Sequence, residues 1–200
     1  MPRVLEELAA KNAAREQALP DCRLAIRFSA NAIRAAHRGD LAAARSLLDK
    51  ARRALDTVTA ALREHADVFH AGFVHDARKE YVEAECVWHL ASGRPLPGPA
   101  ELRAENAAYL NGLGEAVGEL RRMLLDRLRL GLFDGCEEML GAMDDIYSAL
   151  VTVDYPDTLT GGLRRTTDSV RGILERTRGD LTMAALQLGG SPARHDKSQD

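Results

Sequence analysis

A three-and-four spacing of apolar residues recurs along most of this chain, and it constrains the fold more than any other feature of the sequence. The clearest case is the segment 41–62, whose apolar residues are Leu41, Ala44, Leu48, Ala51, Leu55, Val58 and Leu62. This spacing is typical of an amphipathic helix, because it places the apolar side chains on one helical face. Runs of β-branched or aromatic residues long enough to form strands are missing. The sequence therefore predicts an all-α fold.

Turn and capping residues divide the sequence into six or seven long antiparallel helices with short connections. The predicted helices cover residues 4–37, 41–62, 67–90, 100–130, 134–153 and 158–188, with a break at Pro20–Asp21 left open. The segment from Ser92 to Pro99 is predicted to be a loop, because its prolines and glycines cannot continue a helix. Residues 1–188 are predicted to form a single domain, and the polar residues 189–200 a disordered tail.

Cysteine use and hydropathy predict a cytoplasmic protein with no membrane segment. The three cysteines, Cys22, Cys86 and Cys136, are far apart and show no C-x-x-C spacing, so a reducing compartment fits better than a disulfide framework. The first residues are too acidic for a signal peptide, and no apolar run approaches the roughly 20 residues of a membrane span. The net charge of −3 does not by itself indicate a polyanionic partner.

Motifs of several enzyme classes are absent from the sequence. It contains no phosphate-binding loop, no dinucleotide-binding glycine motif, no serine nucleophile elbow and no H-E-x-x-H zinc motif. The histidines also lack a spacing typical of metal ligands, and we interpret them as ordinary surface or boundary residues. They are His37, His65, His70, His75, His89 and His195.

Two pairs of glutamates have a spacing that suits metal binding. Glu80 and Glu83 are three residues apart, and Glu115 and Glu119 are four apart, so each pair shares one face of a helix. If the two pairs faced each other, they would offer four of the hard oxygen donors that Mg²⁺ or Mn²⁺ prefers. Acidic pairs are also common on solvated helix faces, so the spacing alone leaves both interpretations open.

Three glycines favour the interpretation that the second pair lies in a cleft. Gly112, Gly114 and Gly118 fall inside a predicted helix, where each costs about 1 kcal/mol relative to alanine. A close approach by another helix or by a ligand would explain the missing side chains. Glu85 falls near an apolar stripe, and it could line the same cleft, pair with an arginine or mark an interface.

Two pairs of arginines could bind phosphates or simply balance the many glutamates. These are Arg121 with Arg122 and Arg164 with Arg165. The guanidinium group suits phosphate recognition because it donates two parallel hydrogen bonds to one group.

At these segments the sequence resembles the translin family, and within it the branch of translin-associated factor X (Trax) and its archaeal relatives. The resemblance is carried by Glu80–Ala84, by Tyr109–Arg122 and by the stretch from Tyr155 to Leu181. A weaker likeness covers residues 15–54, including Ile33–His37. Together the similar segments span most of residues 15–185.

The resemblance implies an all-α fold of about seven helices that assembles into a closed, octamer-like homo-oligomer with single-stranded RNA or DNA inside. In Trax-like members it also implies a Mg²⁺-dependent endoribonuclease, whose catalytic and metal-binding acids correspond to Glu80, Glu83, Glu115 and Glu119. Trax commonly has an aspartate where this chain has Glu115, which is one methylene longer. Translin itself lacks the acidic set, so four glutamates favour the Trax-like branch.

Three functional hypotheses follow from the sequence. The first is a metal-dependent endoribonuclease that cuts single-stranded RNA and binds its backbone through Arg121, Arg122, Arg164 or Arg165. The second is a non-catalytic oligomer that binds single-stranded RNA or DNA, as translin does alone. The third is a helical scaffold whose glutamates are merely solvated. A gathered set of four glutamates would support the first, and a basic interior the second.

Overall fold

The computed structural model describes residues 1–189, with side chains as far as residue 187. This part of the chain forms nine helices and contains no strand, so the predicted all-α class is confirmed. The helices are α1 (Pro2–His37), α2 (Leu41–Ala61), α3 (Ala66–Phe69), α4 (Gly72–Ala91), α5 (Pro99–Leu102), α6 (Asn106–Arg129), α7 (Cys136–Val151), α8 (Asp157–Thr160) and α9 (Leu163–Gly189).

The predicted six or seven long helices agree with the six long helices observed, but three single-turn helices were merged with their neighbours. The helix predicted over 67–90 is divided into α3 and α4 by the extended backbone of Ala71. The helix predicted over 100–130 is divided into α5 and α6 at Arg103, whose φ of +50° cannot continue a right-handed helix. Gly161 and Gly162, both with positive φ, separate α8 from α9. The six remaining helices are the long ones.

Pro20 does not interrupt α1, although the sequence left a break there open. Its ring lies on the exposed side of the helix, where the carbonyl that loses its hydrogen bond can be solvated. Ala18 and Cys22 flank it on the buried side and pack into the core. Tertiary packing therefore outweighs the local cost of the proline.

One hydrophobic core joins all six long helices and positions α4 and α6 at the centre of the fold. The three-residue connection at 38–40 folds α1 and α2 into a hairpin, and the Asp40 carboxylate caps α2 by accepting a 3.0 Å hydrogen bond from the Ala43 N–H. α4 packs on this hairpin and on α6, and α6 packs on α7 and α9. The glutamates predicted to act together therefore lie on two adjacent central helices.

Two further predictions concern membrane-spanning helices and the C-terminal tail. None of the helices within residues 1–189 is long and apolar enough to cross a membrane. The predicted disordered tail, 189–200, lies outside the described residues apart from Gly189, which ends α9. The extent of the domain stays a prediction.

Candidate metal centre and cleft

Close packing between α4 and α6 brings the two glutamate pairs together. A Cβ atom at Gly112 of α6 would lie 2.6 Å from the Lys79 carbonyl oxygen and 2.8 Å from the Val82 Cβ of α4. Gly114 similarly admits the Thr166 methyl group of α9. The expected close approach is thus confirmed at these two glycines. At Gly118 a Cβ would meet no described atom within 4 Å, so no described helix approaches there, and the approach of a ligand stays a prediction.

Three of the four predicted acids form one compact group. Glu80 and Glu83 of α4 and Glu115 of α6 each place a carboxylate oxygen within 4.8 Å of the others. We call these residues the acidic triad. Three hard oxygen donors converging from two helices are the ligand chemistry that Mg²⁺ or Mn²⁺ prefers, so the residues present fit a divalent cation.

The electrostatics of the triad also favour a cation. Burial, together with the charges of Glu80, Glu115 and Glu119, raises the pKa of the Glu83 carboxyl to about 8. Burial likewise raises the pKa of Glu80, with added repulsion from Glu115. Deprotonated carboxylates so close together repel one another, and a bound cation would relieve that repulsion.

Glu119, the fourth predicted acid, lies beside the triad but has a different partner. Its carboxylate accepts a 2.5 Å hydrogen bond from Nε2 of His37, which lies at the end of α1. This hydrogen bond lowers the pKa of Glu119 despite partial burial. Glu119 still lies near enough for its charge to raise the pKa of Glu83. The structure therefore places Glu119 at the edge of the acidic group, with His37 beside it.

His37 and Lys79 are the site residues that sequence reasoning missed. The His37 side chain is 10% exposed, which agrees with the predicted boundary position, but its hydrogen bond to Glu119 was not predicted. Lys79 donates a 2.6 Å hydrogen bond to Glu115. Burial alone would lower the pKa of Lys79, but the bond to Glu115 raises it. No spacing rule reveals either contact, and the only signal was that His37 falls in a segment resembling the translin family.

The triad opens into a cleft of about 800 Å³ between α4, α6 and the start of α9. Glu83 and Glu115 line it on one side, and residues of the α8–α9 turn and of the first turns of α9 line it on the other. Asn111 fixes this second wall. Its side-chain amide donates to the Thr160 carbonyl at 2.8 Å, and its oxygen accepts from the Thr166 hydroxyl at 2.6 Å.

Only one of the four predicted phosphate-binding arginines lines this cleft. Arg165 does so, on the first turn of α9. Arg121 instead donates to Thr177 and pairs with Asp180 at 2.7 Å, which joins α6 to α9. Arg122 and Arg164 are largely exposed and lie 3.9 Å from Glu119 and Asp154, respectively.

Glu85 does not belong to the acidic triad. Both of its carboxylate oxygens accept hydrogen bonds from the Arg45 guanidinium at 2.8 Å, and the Tyr81 hydroxyl donates another. Of the three alternatives that the sequence left open, pairing with an arginine is confirmed. Because Glu85 is only 2% exposed, this bidentate pair provides the hydrogen bonds that a buried charge requires.

The raised pKa of Glu83 predicts that stability falls as pH rises. Deprotonating this carboxyl costs more free energy in the folded than in the unfolded state. The stability of the folded state is therefore highest below about pH 4.5, where the carboxyl is protonated in both states, and falls until the pH has passed about 8. In EDTA, thermal unfolding should show the melting temperature of wild type falling from pH 5 to 8 by a few degrees more than that of Glu83→Gln. The exposed Glu138→Gln should follow wild type, and parallel curves for all three proteins would refute the prediction.

Comparisons with known proteins agree with this architecture. No family model matches the chain. It is similar to AfC3PO of Archaeoglobus solved in complex with duplex RNA, with 36% identity and a TM-score of 0.86 over 95% of this chain and 97% of that one. A second AfC3PO structure is also 36% identical, with a TM-score of 0.84 over 93% and 95% of the two chains.

More distant relatives extend the comparison. The apo structure of NeC3PO from Nematostella shares the fold at 18% identity, with a TM-score of 0.82 over 92% of this chain and 96% of that one. An uncharacterized protein of Methanocaldococcus jannaschii is 29% identical over 185 residues, which are 89% of this chain and 79% of the relative.

Proposed function

The chain belongs to the translin family, and from that premise we propose that it is a divalent-metal-dependent endoribonuclease of the Trax-like type. The observation that carries the proposal is the acidic triad at the edge of a cleft. RNA as the substrate class is supported by the Archaeoglobus relative, which was solved with duplex RNA bound. We propose single-stranded RNA as the substrate to be cut, with single-stranded DNA as a further ligand.

In this proposal Glu80, Glu83 and Glu115 hold Mg²⁺ or Mn²⁺, and Glu119 completes the set from its edge position. A divalent cation bound there supplies an activated water and stabilises negative charge on the leaving oxygen. The chain's own residues do the rest. His37 orients the Glu119 carboxylate through its hydrogen bond. Lys79 donates a hydrogen bond to Glu115 and so places an ammonium group beside the acidic triad, where it would favour a phosphate of the RNA.

We also propose that the protein works as a homo-oligomer of octamer-like size that encloses RNA. Exposed apolar side chains near both ends of the described chain are surfaces that assembly would bury, among them Leu5, Leu8, Met183 and Leu186. We place the protein in the cytoplasm, since its free thiols suit a reducing compartment.

The decisive experiment is cleavage of end-labelled single-stranded RNA by the wild-type protein in Mg²⁺, in Mn²⁺ and in EDTA. We expect internal cuts in either metal and none in EDTA, with duplex RNA and single-stranded DNA of the same sequence as comparators. A protein that binds RNA but never cuts it in either metal would overturn the catalytic proposal.

That outcome would favour the second hypothesis, a non-catalytic RNA-binding oligomer of the translin type. One observation supports it: Lys79 donates a hydrogen bond to Glu115 and His37 bonds Glu119, so two of the four acids have partners within the chain. Binding of RNA in EDTA with unchanged affinity after addition of Mg²⁺ is its expected signature.

A further inference from the structure

The cleft beside the acidic triad has a second end with different chemistry. There the α8–α9 turn, the start of α9 and His75 of α4 come together. His75 and Glu83 are eight residues apart on α4, which corresponds to about 12 Å along the helix axis. A phosphate bound beside His75 is therefore a different phosphate from the one placed at the triad.

Arg165 is the cation at this end that has no carboxylate partner within residues 1–187. The other cation lining the cleft, Lys79, is paired with Glu115. The Arg165 guanidinium forms no ion pair with any of the four carboxylates that line the same cleft. These are the carboxylates of Asp76, Glu83, Glu115 and Asp157. An available guanidinium is well suited to a phosphodiester, which it can bind through two parallel hydrogen bonds.

The backbone that carries Arg165 is held in place by its neighbour. The Thr166 hydroxyl donates to the Asn111 oxygen, and the Thr166 methyl group fits against Gly114. His75 lies across the turn, where a Cβ at Gly161 would be 3.5 Å from its Cε1 atom, and its ring nitrogens bond no described residue. A fixed backbone lowers the entropy lost when the arginine binds a ligand.

We infer that Arg165 is a positioning residue that binds a non-scissile phosphate of the RNA strand, with His75 as a second donor at the same end of the cleft. This inference rests on the proposed function and adds to it the direction of the strand across the site. The strand runs from the triad on α4 and α6 toward the first turn of α9. The cleft is not lined by the other three predicted phosphate-binding arginines, Arg121, Arg122 and Arg164.

The test compares Arg165→Ala with Arg164→Ala, a neighbouring arginine of the same helical turn that does not line the cleft. All binding is measured in a Glu83→Gln background, so that cleavage does not consume the labelled RNA. We expect Arg165→Ala to weaken binding about tenfold. The slope of log affinity against log salt should become shallower by about 1. Arg164→Ala should leave both values unchanged, and Arg165→Lys should restore part of the affinity.

The outcomes separate the inference from the function on which it rests. Equal affinities and salt slopes for Arg165→Ala and Arg164→Ala would overturn the inference, while metal-dependent cleavage by wild type would still support the nuclease. A wild-type protein that neither binds nor cuts RNA would overturn both. A weakened Arg165→Ala with an unchanged melting temperature and a shallower salt slope supports the inference, because a purely structural defect would not change the number of ions released.

Discussion

Glu83→Gln is expected to reduce metal-dependent RNA cleavage by about 100-fold or more, since changing even the partners of metal ligands costs 10–100-fold. Glutamine keeps the shape of the side chain but removes the charge that a divalent cation needs. The substitution also removes a carboxyl whose pKa is raised by burial and by three neighbouring acids, so the folded state should gain stability. Lost activity would then not be a consequence of unfolding. The measurement is the initial rate of RNA cutting in Mg²⁺.

The other glutamates should form a graded series. Glu115→Gln should lose as much activity as Glu83→Gln, because both belong to the acidic triad. Glu119→Gln should lose less, because its carboxylate is outside that group and hydrogen-bonded to His37. The exposed Glu138→Gln on α7 is the matched control and should cut RNA like wild type. Titration with Mn²⁺ should show weakened metal binding in the same order.

Full activity in Glu83→Gln would show that the triad does not bind the metal. Equal and complete losses in Glu83→Gln and Glu119→Gln would indicate instead that all four acids act as one set, as the family resemblance implies. RNA binding by each variant should stay within a few-fold of wild type, since a glutamine adds no repulsion toward phosphate.

The long helices could be predicted from the sequence because their boundaries depend on local chemistry. The Asp40 cap and the Pro-rich segment act within a few residues; the cap appears where the pattern placed it, and the loop ends at Gly98, one residue before its predicted end. The single-turn helices could not be predicted. Arg103 adopts a left-handed backbone conformation although it is not a glycine, so the sequence does not indicate the end of α5. The carbonyl of Arg103 accepts a hydrogen bond from Arg78, 25 residues away.

The site was predictable to the extent that one helix face defines it. Spacing placed Glu80 with Glu83, and the glycines of α6 indicated the close approach that brings Glu115 to them. The partners of these acids were not predictable, because His37 bonds Glu119 across 82 residues. Nor could the sequence separate Arg165 from Arg164. Neighbouring residues on a helix point in different directions, and only the packing of α9 on α6 decides which one reaches the cleft.

Gly112→Ala is expected to destabilise the protein and disable the site together. The added methyl group would meet the backbone carbonyl of Lys79 and the Cβ of Val82, and neither can rotate away. Overpacking of this kind costs about 1–3 kcal/mol, which exceeds the gain of about 1 kcal/mol from replacing a helical glycine. Relief requires α4 to move away from α6, and that movement separates Glu80 from Glu115. A displacement near 1 Å can cost about 100-fold in rate.

Gly118→Ala provides the matched control, because it makes the same change on the same helix where no described atom lies within 4 Å. It should raise the free energy of unfolding by up to about 1 kcal/mol through helix propensity alone. Chemical denaturation of the two variants should therefore give changes of opposite sign, and RNA cutting should fall only in Gly112→Ala. If both alanines stabilised the protein equally, the distance between α4 and α6 would not depend on Gly112. The triad would then owe its geometry to packing elsewhere in the core.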